Sequence, residues 1–224
     1  MWIKICANTS LDDALLAVEL GADALGFVFA SSKRQVTAAE VARITPHLPQ
    51  AVERVGVFDT QNAEEIANIA LEAGLTAVQL HGGLNHALAA ELAECERRLR
   101  VIQTLHWHVD ADADSVVTMR RQLAEIASAG VVDLVLIDSR VGQATGGTGR
   151  TFDWEGAKAV LTEGAGRLKL IVAGGLRPEN VAEAIRGLNP WGVDVASGVE
   201  AHPGRKDPEK LAAFINNARQ PKGV

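Results

Sequence analysis

Eight times along this chain, a short apolar run of strand character gives way to a stretch with helical spacing. The apolar runs fall at about residues 2–6, 24–29, 51–57, 76–80, 100–105, 133–138, 168–172 and 192–195. They are too apolar to leave one face in water, so they read as strands of a parallel sheet covered by helices. Eight strand–helix repeats in 224 residues predict an α/β chain closed into a single (β/α)8 barrel, with one domain over 1–219 and a frayed tail at 220–224.

The intervening segments carry helix signals. Asn8, Thr9 and Ser10 supply a cap, Asp12 and Asp13 follow in the first turn, and Gly21 ends that helix. Thr37 caps a second helix expected to end near Pro46. Further helices are predicted over 62–73, 85–99, 112–128, from Asp153, over 178–187 and over 209–218. A faint internal repeat joins helix ends to strand starts. It reads Gly21-Ala22-Asp23-Ala24-Leu25, Gly74-Leu75-Thr76-Ala77-Val78 and Gly130-Val131-Val132-Asp133-Leu134. Helix-ending glycine explains part of it, and the shared polar residue before each strand suggests a repeated unit.

A net charge of −6 argues against a general nucleic-acid surface but not against a small anionic substrate. Cys6 and Cys95 are too far apart in the chain to read as a disulfide framework or a zinc site. The chain enters a strand at once, with no signal-peptide pattern, and no apolar stretch is long enough to span a bilayer. The expectation is a cytoplasmic protein without a membrane partner, either a monomer or a homodimer.

In such a barrel, chemistry belongs at the C-terminal ends of the strands. The seventh and eighth runs end in Ala173-Gly174-Gly175 and Ala196-Ser197-Gly198, and Pro178 sits where a helix would begin. Two glycine loops side by side near helix N-termini form an anion cradle, so Gly174, Gly175, Ser197 and Gly198 are candidate phosphate contacts. Cys6 ends the first strand. It reads either as a buried small hydrophobe or as a base whose thiolate needs a nearby cation. Asp138 follows an apolar run. It reads either as a loop cap or as a partly buried acid. Arg34 lies in a polar loop, where arginines are usually solvated, yet it is also the residue that grips a carboxylate bidentately. Gln79 and His81 end the fourth strand as substrate contacts or as hydrogen-bonding scaffold. No second histidine or acid stands at metal-ligand spacing from His81, so no metal is expected. Asp194 is either structural or orients the phosphate loop. The glycine-rich loop 142–149 lacks the Gly-Lys-Ser/Thr of a P-loop and reads as a mobile lid.

Several stretches, in order along nearly the whole chain, resemble phosphoribosylanthranilate isomerases. They are Lys4-Ile5-Cys6, Gly21 to Phe29, Ser32-Lys33-Arg34, Arg54-Val55-Gly56-Val57-Phe58, Val78-Gln79-Leu80-His81-Gly82, Gly146 to Trp154, Ala173-Gly174-Gly175-Leu176 and Asp194 to Glu200. The resemblance implies a (β/α)8 barrel that uses no cofactor. It implies an Amadori rearrangement of N-(5′-phosphoribosyl)anthranilate, a small phosphorylated sugar, in tryptophan biosynthesis. It makes Cys6 the general base, Asp138 the general acid and Arg34 the anthranilate anchor.

Two departures stand out. The family usually reads Lys-Ile-Cys-Gly where this chain has Ala7, and alanine is strained there if the backbone φ is positive. Gln35 stands where an aromatic residue is common. The rival readings are a histidine-pathway aminoaldose isomerase, expected to carry aspartate at position 6, and a phosphate-ligand binding protein without activity.

Overall fold

The computed structural model describes residues 1–95, 99–108, 113–140, 158 and 166–220. Strands β1 (Trp2–Ile5), β2 (Ala24–Val28), β3 (Glu53–Phe58), β4 (Ala77–Leu80), β5 (Arg100–His108), β6 (Leu134–Arg140), β7 (Lys169–Ala173) and β8 (Gly192–Val195) form a closed barrel in chain order. Every neighbouring pair is parallel, and β8 pairs with β1 to close the ring. The helices are α1 (Leu11–Glu19), α2 (Ala38–Val41), α3 (Ala63–Glu72), α4 (His86–Glu94), α5 (Ala113–Ala129), α6 (Val181–Leu188) and α7 (Pro208–Arg219). The predicted lid 142–149, the helix expected from Asp153 and residues 221–224 lie outside the described residues.

Local chemistry explains most boundaries. Ser10, Asn62, Asn85 and Asp207 each accept a backbone N–H at the start of the helix they precede. Thr37 and Glu40 form a reciprocal capping box on α2. The internal repeat acquires a physical meaning. Gly21, Gly74 and Gly130 end helices at φ of +101°, +65° and +70°, a region open to glycine at little cost. The polar residue that follows ties neighbouring strands together. Asp23 accepts the Ile3 N–H at 2.8 Å, and Thr76 accepts the Arg54 N–H at 2.9 Å.

Four expectations need correction. The second helix is a single turn, α2, followed by a 3-10 turn over Thr45–His47 that holds Pro46. Proline removes the N–H that a continuing helix would use. The helix expected from 178 begins at Val181 instead, because Asn180 turns its side chain back to bond Arg177 and Gly175. β5 continues past Leu105 to His108, paired residue by residue with β6. β6 likewise runs past Asp138 to Arg140. A two-stranded ribbon, β9 (Glu200–His202) and β10 (Arg205–Lys206), sits between β8 and α7, in a stretch for which no element is predicted.

Two apolar layers hold the barrel. One fills the space between sheet and helices, with Phe27, Phe58, Ile66, Leu123, Val181 and Phe214 among its members. The other fills the barrel with Ala24, Val55, Ala77, Ile102, Leu134 and Ile171. Its N-terminal end is closed by the stacked rings of Trp2 and Trp191, 5.2 Å apart, with Arg100 and Lys169 against Trp191. The barrel is therefore plugged at one end, and the C-terminal strand ends are left for chemistry.

Candidate active site

Cys6 follows directly on β1, and its N–H donates to Val195 at 2.8 Å. Beneath it, Lys4 is fully buried and bonds the carboxylate of Asp194 at 2.8 Å. These two residues are register partners on β1 and β8, so the strand pairing itself builds the ion pair. Burial pulls the Lys4 ammonium toward neutrality, but Asp194 and the neighbouring thiol outweigh it and keep the charge. Burial pushes the Cys6 thiol above its ordinary range, while Lys4 and Lys206 pull it back and Asp194 adds to the rise. Lys4 and Lys206 thus place cations beside the thiol, without overcoming its burial. Ala7 has φ of +61° and is fully buried, so the strain expected of alanine in place of glycine is present. Asn8 secures the same turn by donating its side-chain amide to Ile5 and Gly26 at 2.7 and 3.2 Å.

Arg34 is not a solvated loop arginine. Its Nε and Nη2 grip the carboxylate of Glu200 at 2.6–3.0 Å. Burial would push Glu200 up, but Arg34 and Lys206 hold it below the usual carboxylate range. Lys206 lies 3.7 Å from Glu200 and donates to the Cys6 carbonyl at 2.5 Å. Burial pulls Lys206 below the usual lysine range. One chain of charges therefore runs from the Arg34 loop through the β9–β10 ribbon to the backbone of Cys6. The sequence carries no local signal for the roles of Glu200 and Lys206. The signal it lacked was the ribbon, which carries both residues back over the barrel mouth.

On the β4–β6 side, Asp138 and His106 are register partners, and His106 Nδ1 lies 3.6 Å from Asp138 Oδ2. His106 Nε2 is 3.2 Å from the His81 carbonyl, and the two imidazole rings meet edge to face at 4.7 Å. The structure therefore gathers His81, His106 and Asp138, each with a ligand-capable atom within 4.8 Å of the others. The argument from spacing that no metal partner stands near His81 fails here, because the partners come from the next two strands. His106 was missed because the fifth strand was ended at Leu105. Gln79 is buried one pleat below His81 and gives its amide to Thr104 at 3.2 Å, a support under the mouth. Asp194 links the two sides electrostatically. Burial pushes it up against the pull of Lys4, and the charge of Asp138 adds to the rise.

The two glycine loops meet as expected. A side chain at Gly198 would run into the carbonyl of Leu176 and come within 3.1 Å of the Arg177 Cα, so the turn after β8 packs on the loop after β7. Gly174 and Gly175 make that second loop with φ of +86° and +64°. Ser197 opens the 3-10 turn Ser197–Val199 beside it. Cys95 is a half-buried free thiol next to α4, away from these groups.

A model of the N-(5'phosphoribosyl)anthranilate (PRA) isomerase family matches residues 3–217. The chain belongs to the phosphoribosylanthranilate isomerase family. Among relatives, the N-(5'-phosphoribosyl)anthranilate isomerase of Pelobacter propionicus is 39% identical over 97% of this chain and 95% of its own. The solved structure of phosphoribosyl anthranilate isomerase from Thermotoga maritima superposes with a TM-score of 0.84 at 39% identity, covering 98% of both chains. A solved structure of phosphoribosyl anthranilate isomerase in complex with reduced 1-(o-carboxyphenylamino)-1-deoxyribulose 5-phosphate superposes with a TM-score of 0.80 at 37% identity over 98% of both chains. The likeness to these solved barrels extends over 98% of the chain. Among the described residues, no helix is long and apolar enough to cross a membrane.

Proposed function

We propose that this chain converts N-(5′-phosphoribosyl)anthranilate to 1-(2-carboxyphenylamino)-1-deoxyribulose 5-phosphate in tryptophan biosynthesis. The observation that carries the reading is family membership over nearly the full length, on a chain whose thiol, carboxyl and arginine all stand at one rim of the barrel. Asp138 gives a proton to the ribose ring oxygen. The C1′–O bond breaks, and the anthranilate nitrogen lone pair forms the C1′=N iminium. Cys6 thiolate then takes the C2′ proton, and the C–H electrons form C1′=C2′ as the iminium becomes an enolamine. Tautomerisation moves a proton to C1′ and leaves the C2′ ketone. The glycine loops at Gly174, Gly175, Ser197 and Gly198 hold the phosphate. Arg34, oriented by Glu200, takes the anthranilate carboxylate with the N–H groups that Glu200 leaves available. His81 shapes the wall between them, with Gln79 supporting it from one pleat below. Fixing both substrate ends turns binding into orientation.

The test is a steady-state assay of the purified protein with the anthranilate substrate and with the histidine-pathway aminoaldose. Turnover of the first is expected. C6S and D138N should each lower kcat by about 10²- to 10⁴-fold with the fold intact. Turnover of the second substrate alone, or wild-type rates in either variant, would overturn the assignment.

A further inference from the structure

We propose that His81, His106 and Asp138 form a site for a borderline divalent transition ion such as Zn²⁺, which competes with catalysis by occupying the carboxylate of Asp138. Three adjacent strands bring these donors together, all within 4.8 Å. The chemistry of His106 decides what the cluster can hold. Its Nε2 faces the His81 carbonyl at 3.2 Å. A carbonyl only accepts, so Nε2 carries the hydrogen, and in the neutral imidazole Nδ1 presents its lone pair. That is the arrangement in which a backbone carbonyl orients a metal-binding imidazole.

Nδ1 is buried and, among the described residues, has no hydrogen-bond partner within bonding distance. The group it faces is Asp138 Oδ2 at 3.6 Å, a second electron donor. Two donors confronting each other are stabilised by a cation between them. Their separation is close to the roughly 3.3 Å between ligand atoms that tetrahedral Zn²⁺ requires with bonds of about 2.0–2.1 Å. His81 completes the set. Its ring is half-buried, as is Asp138. Two imidazoles and a carboxylate suit Zn²⁺, Co²⁺ or Ni²⁺ and not the oxygen-seeking Mg²⁺ or Ca²⁺.

Ion binding stands on this geometry alone. Its consequence for catalysis rests on the proposed role of Asp138 as acid. The test strips the purified full-length protein with EDTA, desalts it and titrates it with Co²⁺ while visible ligand-field absorption is recorded. A saturable one-to-one spectrum, displaced by Zn²⁺, is expected. In His106→Phe and His106→Asn the affinity should fall at least about tenfold, the lower end of the loss seen on disturbing even an outer-shell partner. Circular dichroism checks folding, and the asparagine variant serves if the phenylalanine variant does not fold. No spectrum in the wild type at millimolar Co²⁺, or unchanged affinity in a folded variant, overturns the site. In parallel, Zn²⁺ should stop isomerisation in step with its displacement of Co²⁺, and EDTA should restore the rate. Undiminished turnover by Zn²⁺-saturated protein overturns the competition. If the wild type shows no isomerisation at all, the activity reading fails while the Co²⁺ spectrum still decides the ion site.

Discussion

Replacing Gly26 with alanine tests whether the placement of the Cys6 thiol matters independently of its chemistry. A methyl group at Gly26 would sit 2.6 Å from Cys6 Sγ, 3.0 Å from Cys6 Cα and 3.1 Å from Lys4 Cε. Ordinary contact needs about 3.5 Å or more, so the thiol must retreat by roughly 1 Å. The Cys6 backbone is pinned on both sides, by Val195 at its N–H and by Lys206 at its carbonyl, so the side chain is what moves. A reacting group misplaced by about 1 Å loses on the order of 10²-fold in rate, or about 2.7 kcal/mol of transition-state stabilisation. The overpacking itself costs about 1–3 kcal/mol of fold stability, and each kcal/mol lowers Tm by about 2–4 °C in a chain of this size. Gly192→Ala is the control. Its methyl would meet Trp2 Cε3 at 2.8 Å and the Trp2 carbonyl at 3.0 Å, at the plugged end of the barrel. Steady-state kinetics and thermal melts should show both variants losing stability and only G26A losing kcat/KM. Wild-type kcat/KM in G26A, or an equal loss in G192A, would refute the reasoning.

The Glu200 clamp gives a second test. E200Q removes one partner of the charged pair that orients Arg34, so KM for the anthranilate substrate should rise about tenfold, the scale of one charge-assisted hydrogen bond, with kcat less affected. Because the folded state lowers the Glu200 pKa, its contribution to stability is full above the unfolded carboxylate range and fades as pH falls through the folded value. The stability gap between wild type and E200Q in urea titrations should therefore narrow on acidification, and a constant gap would contradict it. For Ala7→Gly three effects nearly cancel: about 1–2 kcal/mol of relieved strain, about 0.5–1 kcal/mol of added chain entropy and about 0.8 kcal/mol for one buried methyl. The urea midpoint should shift little, and a large gain in stability would mean that the strain is greater than its φ implies. In a Cys95→Ser background, alkylation of Cys6 by iodoacetamide should accelerate with pH only above the ordinary thiol range, since burial raises it. A rate already saturated near neutral pH would show that Lys4 and Lys206 outweigh the burial.

What the sequence determined by itself was the periodic frame. Apolar runs, caps and helix-ending glycines act over a few residues, so eight strands, the glycine loops and the strand-end position of Cys6 could be read directly, whereas β6 runs two residues past Asp138. Even the repeated Gly21, Gly74 and Gly130 segments were visible, although what Asp23 and Thr76 do there was not. Tertiary structure alone decided who stands beside whom. Lys4 meets Asp194 across 190 positions of chain because barrel closure lays the last strand against the first, and Lys206 meets Cys6 across 200 because the ribbon after that strand folds back over it. Arg34 finds Glu200 only because the β9–β10 ribbon folds back over the rim. His106 joins Asp138 only because β5 runs on past its apolar stretch, held by β6 rather than by its own side chains. Local preference sets where a strand begins, but the neighbour that extends it, and the charge that faces its end, are set by the pairing partner.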